Sequence, residues 1–168
     1  MFHFQSFSVD VDVEKTRKYY EESRRMLTEG CDCILCWNFL AACDSLDGEI
    51  RQFFDSLGVD IRKAPDMTTM HGDKERNILY YQEFYHICGT ILDGGEERCH
   101  EKYRWQQTAE YEIFPAFKVF FTTMSALIEG TFPKPVLQLE VDMEVPWVMG
   151  GNFAEAAPEA LSRKEILL

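Results

Sequence analysis

A chain of 168 residues, 46% hydrophobic and 27% charged, has the size and composition of one globular domain, 1–168, able to bury a core without staples. Its net charge of −12 argues against nucleic acid and anionic membranes as partners, because both repel it, and leaves a basic protein as the partner class that charge favours. There is no basic-then-apolar leader and no run of the ~20 apolar residues that a membrane span needs, so a cytoplasmic location is expected.

Phe7, Val9, Val11 and Val13 alternate with polar residues, the pattern of a strand with one buried face. Phe2 and Phe4 have the opposite phase, and a bulge or bend near Gln5–Ser6 would bring both sets to one face. Residues 14–28 are polar, with Tyr19, Tyr20, Met26 and Leu27 at loose helical spacing, which predicts a surface helix with Gly30 past its end. The interleaved lysines, arginines and glutamates of this stretch form a solvated face. Trp37, Leu40 and Ala41 predict a helical turn or more over 34–43. Leu46, Ile50, Phe53, Phe54 and Leu57 give the clearest amphipathic helix of the chain, stopped by Gly58.

Residues 58–77 read as loop, apart from a short strand over Met67–His71. From Ile78 to Leu92 both parities are apolar or aromatic, as in a strand covered on both faces. Asp93-Gly94-Gly95 reads as a turn and Glu96–Trp105 as a charged loop. The alternation over 109–122 predicts one strand, or two broken at Pro115. Leu137, Leu139, Val141, Met143, Val145 and Trp147 alternate with polar residues more regularly than any other segment. Gly150-Gly151 then makes a turn, and Pro158 opens a short helix. The expected fold is α+β: a mainly antiparallel sheet or sandwich with one or two amphipathic helices near residues 33–57.

The chemistry concentrates at Cys31-Asp32-Cys33-Ile34-Leu35-Cys36. Six cysteines in a reducing compartment stand as thiols or metal ligands rather than a disulfide framework. Thiolates two and three residues apart on a turn can point at one centre, which is why such spacings recur in zinc sites. Zinc is therefore the candidate cofactor. The cluster supplies three of four ligands, and Cys43, His86, Cys88, Cys99 and His100 are the candidates for the fourth. The competing readings are buried packing thiols, which suits Cys43 and Cys88 in their apolar surroundings, and dithiol exchange at Cys33 and Cys36. The βαβ context of a thioredoxin-like motif is missing for the second. His86 reads first as a hydrogen-bonded core or rim residue, with Glu83 on the opposite face of its strand. The carboxylates Asp10 and Asp12, Glu110 and Glu112, and Glu140, Asp142 and Glu144 read as the wet face of the sheet. No P-loop, nucleophile elbow, dinucleotide fingerprint or His-Glu-x-x-His is present.

Cys31-Asp32-Cys33-x-x-Cys36-x-Asn38-Phe39 is followed by Phe53-Phe54, Leu57-Gly58-Val59-Asp60, Phe84-Tyr85-His86 with Gly89, and Val145-Pro146-Trp147-Val148. On these residues the chain resembles a family of small bacterial proteins without an assigned function. The resemblance implies one bacterial cytoplasmic domain and brings no catalytic residue, substrate or cofactor with it. Three functional classes stand open: a non-enzymatic protein with a structural zinc, an acidic interaction or immunity-type protein that binds a basic partner, and a thiol- or metal-dependent enzyme.

Overall fold

The computed structural model describes residues 1–4, 7–94 and 111–162, and within them the expected α+β architecture is present. The element order is β1 (Phe2–Phe4), β2 (Phe7–Val11), α1 (Val13–Glu22), α2 (Ile34–Ala42), α3 (Gly48–Leu57), β3 (Asp66–Asp73), β4 (Ile78–Gly94), β5 (Tyr111–Phe114), β6 (Phe117–Thr122), β7 (Val136–Pro146), α4 (Phe153–Ala156) and α5 (Glu159–Ser162). Seven strands form one antiparallel sheet in the order β1-β2-β4-β7-β6-β5, with β3 also on β4. β4 is the hub. One edge pairs with β7 from Ile78↔Pro146 to Cys88↔Val136, while the other pairs first with β3 and then with β2.

Strand parity divides the sheet into two faces. Tyr81, Tyr85 and Ile87 of β4, Leu139, Val141, Met143 and Val145 of β7, and Phe117, Val119 and Phe121 of β6 are buried on the face that carries the helices. Helix α3 owes its seat to the apolar stripe read from the sequence. Its Phe54 ring meets Tyr85 edge-on at 5.0 Å and Phe117 at 6.0 Å, contacts each worth about 0.5–1.5 kcal/mol beyond the area they bury. The helix starts at Asp47, whose carboxylate accepts the Glu49 N–H at 2.7 Å. It ends at Gly58 with φ +75°, where a Cβ would lie 2.6 Å from the Val13 carbonyl oxygen. Glycine therefore stops α3 and lets α1 pass close by.

Several boundaries differ from the sequence expectation. Helix α1 ends at Glu22 rather than near residue 28, because Ser23 turns to extended backbone (φ −67°, ψ 128°). The Lys63 ammonium stabilises that end: it donates to the carbonyls of Tyr20 and Ser23, which neutralises acceptors the helix leaves bare. Leu27–Glu29 forms a separate 3₁₀ turn, and Gly30 has φ −102° rather than a left-handed value. Strand β3 is longer than Met67–His71, since pairing along β4 extends it to Asp66 at one end and to Gly72 and Asp73 at the other, residues with no strand pattern of their own. Asp93 and Gly94 belong to β4, paired with Ser8 and Phe7, and not to a turn. Phe2 lies opposite Val9 in the antiparallel pairing of β1 with β2, so these two residues share a face although their sequence phases differ. Between β5 and β6 the chain turns at Pro115-Ala116, as the proline break predicts, with Ala116 at φ +61°.

Candidate metal centre

Cys31 and Cys33 precede α2, and Cys36 lies in its first turn. Eleven residues, 23–33, separate α1 from α2, and one 3₁₀ turn is their only regular structure. Cys33 is the N-cap of α2, and its sulfur accepts the backbone N–H of Cys36 at 3.5 Å. That contact takes the place of the serine or aspartate oxygen that usually satisfies an orphan N–H at a helix start. Trp37 donates its indole N–H to Asp32 Oδ1 at 3.0 Å, closing the turn over the cysteines. The Asn38 side chain anchors the helix from behind: its amide donates to the Pro146 carbonyl at 3.1 Å and its oxygen accepts the Val148 N–H at 2.8 Å. Tyr81 Oη, beneath the helix, donates to the Leu35 carbonyl at 3.0 Å.

The ligand atoms of Cys31, Cys33 and Cys36 all lie within 4.8 Å of one another, and the Cys33 and Cys36 sulfurs are 3.5 Å apart. A tetrahedral ion with metal–sulfur bonds of 2.3 Å holds its sulfurs about 3.8 Å apart. The Cys33–Cys36 edge is close to that length, and the other two are no more than about 1 Å longer than it. Three thiols this close are near enough to bind a metal ion. Cys31 and Cys33 are exposed, while Cys36 is 4% exposed, so the trio opens to solvent on one side and rests on the core on the other.

Cys31 and Cys36 hold their protons unequally. The Cys31 thiol is held below its usual range by the backbone N–H of Cys33 and then by the thiols of Cys33 and Cys36. Burial pushes the Cys36 thiol well up, and the neighbouring sulfurs add to that shift. A metal ion displaces the remaining protons, so its affinity rises with pH through the thiol range.

The other candidate ligands lie apart from the trio. Cys43 closes the far end of α2, ten residues from Cys33 or about 15 Å along the helix. Its thiol, pushed up to about 12 by burial, donates to the Phe39 carbonyl at 3.2 Å. His86 sits five residues beyond Tyr81 on β4, about 17 Å along the strand and of opposite parity, beside Tyr19 and Tyr20 of α1. Its Nε2 is 2.8 Å from the Ala126 carbonyl and its ring packs on Phe84 and Phe132. Burial lowers its pKa, and of the core and rim readings of this histidine the core one matches a buried, hydrogen-bonded ring. Cys88 is buried with its N–H given to Thr16 Oγ1. Cys99 and His100 lie outside the described residues. Among the described residues, the trio is the group of three or more histidine, cysteine or carboxylate side chains that comes together at metal-binding distance.

One buried carboxyl escaped the reading of the sequence. Glu83 is 1% exposed on the helix-facing side of β4, and neither carboxylate oxygen has a hydrogen-bond partner. The available signal was a lone carboxylate in a strand apolar on both parities.

No protein-family model matches the chain, and no curated protein or solved structure matches it. No helix among the described residues is long and apolar enough to cross a membrane.

Proposed function

We propose that this is a zinc-binding protein in which Cys31, Cys33 and Cys36 hold the ion in a structural role, fastening the irregular 23–33 segment to the start of α2. The observation that carries this reading is the convergence of three sulfurs within 4.8 Å on one short turn. Thiolates select soft and borderline ions, and a tetrahedral set of sulfurs suits zinc. The amide N–H groups at the start of α2 offset part of the negative charge of three thiolates. A water completes the four ligands. The acidic chain draws the cation in from solution.

The test is metal content by mass spectrometry together with a native thiol titration, on protein purified under reducing, chelator-free conditions. About one zinc per chain, with three thiols shielded until chelator is added, is the expected result. Cys33→Ser and Cys36→Ser each lower metal content and melting temperature together. At free zinc a hundredfold above Kd the stability at stake is about 2.7 kcal/mol. Protein that neither carries zinc nor rebinds it, with both variants melting like the parent, refutes the reading.

A further inference from the structure

We infer that Cys33 and Cys36 form a peroxide-sensitive dithiol whose oxidation to a disulfide expels the metal from the trio. The inference rests on the zinc reading above and gives that site a modification chemistry. The Cys33 and Cys36 sulfurs are in direct contact, 3.5 Å apart, with the thiol of one hydrogen-bonded to the other. Cys33 is exposed at the mouth of the trio and Cys36 is buried behind it, the arrangement of an attacking sulfur with a resolving partner. A disulfide holds its sulfurs about 2.05 Å apart, so this pair has about 1.5 Å left to close. Cys43 and Cys88 are buried away from this pair, so neither competes for it.

The co-reactant is a hydroperoxide. The Cys33 thiolate attacks one peroxide oxygen; a sulfur–oxygen bond forms, the O–O bond breaks, and the departing alkoxide or hydroxide takes a proton to leave as alcohol or water. The Cys36 thiolate then attacks the Cys33 sulfur. The S–S bond forms, the S–O bond breaks, and the hydroxide released takes a second proton and leaves as water. Two electrons pass from the two sulfurs to the peroxide. A disulfide sulfur is neutral and binds zinc poorly, so Cys31 alone is left to hold the ion and zinc is released. A dithiol reductant reverses the step by thiol–disulfide exchange.

The experiment loads the full chain with zinc and adds hydrogen peroxide. Zinc release is followed with a colorimetric chelator, and the disulfide is mapped by peptide mass spectrometry. Expected are one zinc released per disulfide, a Cys33–Cys36 linkage, and recovery of zinc binding after reduction. Cys36→Ser, which lacks the resolving thiol, stops the oxidation of Cys33 at the sulfenic acid in the peptide mass map instead of a disulfide; Cys31→Ser still forms the Cys33–Cys36 bond. Zinc that stays bound while peroxide is consumed, or a disulfide mapped to other cysteines, overturns the gate and leaves the zinc site standing. A chain that binds no zinc from the start overturns both readings.

Discussion

Replacing Glu83 is expected to make the protein more stable, and by an amount that grows with pH. The carboxyl sits on β4 between Tyr81 and Tyr85, with Met67 and Val141 opposite it on the neighbouring strands. Both tyrosine hydroxyls are engaged elsewhere, Tyr81 with the Leu35 carbonyl and Tyr85 with the Ile61 carbonyl at 2.9 Å. Burial holds the Glu83 carboxyl well above the usual carboxylate range, and the nearby Asp142 carboxylate adds to the rise. The folded protein therefore binds this proton more tightly than the unfolded chain does, where the group titrates near ~4.3. The stabilisation linked to it is complete below that value and is lost as pH rises towards the folded pKa, at up to about 1.4 kcal/mol per pH unit.

Glu83→Met fills similar volume without a polar group. Even at low pH it removes an unpartnered carboxyl whose burial costs about 1–3 kcal/mol, and at higher pH the gain widens with the slope just given. Glu83→Gln separates the two effects, because it cannot ionise but keeps a buried polar group; its curve should be flat without the low-pH gain. The assay is urea unfolding of parent and variants at constant ionic strength, at intervals from about pH 4 to 8. A Glu83→Met curve parallel to the parent across that range, or a less stable variant at neutral pH, refutes the argument that this carboxyl is buried without compensation.

Asn38→Ala should destabilise the protein by about 2–3 kcal/mol in chemical unfolding, because it strands the Pro146 carbonyl and the Val148 N–H at once. It should also lower zinc affinity, since α2 carries Cys36; unchanged stability would show that the contact is idle. Gly89→Ala places a Cβ 2.4 Å from the Asp10 carbonyl oxygen, a backbone atom that cannot yield without moving β2. A loss of about 1–3 kcal/mol, with faster amide exchange confined to β1 and β2, is expected, and full protection there would contradict the register.

The parts of the fold that could be read from the residues are those where local pattern and burial agree. Strand β7 alternates because one of its faces packs on helices, and α3 shows its stripe because a single side of it meets Tyr85 and Phe117. The trio was legible too, because three ligands within six residues need only one turn to meet. What escaped depends on distant partners. The end of α1 is set by Lys63, some 40 residues away in sequence, and nothing between 14 and 28 announces it. The length of β3 comes from β4, and Asp93 and Gly94 carry a turn signature that pairing with β2 overrides. The exclusion of Cys43 from the trio follows from a helix that places Cys33 and Cys43 at opposite ends, and composition gives no hint of that spacing.

Helix α2 shows why a metal has a use at this point in the fold. Its apolar residues run all the way round, so no stripe selects the side that faces the sheet, and Trp37 is 46% exposed despite its size. Orientation comes instead from particular contacts. Asn38 fixes the middle of the helix against the end of β7, and Phe39 and Ala42 fill the core behind it. Ahead of these, the start of the helix has a weak sulfur cap and follows an irregular segment in which Leu27 is the one buried side chain before Cys36. An ion bonded to Cys31, Cys33 and Cys36 would join that segment to the helix at the point where packing does least. Its removal should therefore loosen residues 23–36 and leave the β4–β7 pairing intact, a difference that amide exchange with and without chelator reads residue by residue. Equal loss of protection across the sheet would mean that the ion supports the core rather than the entry to α2.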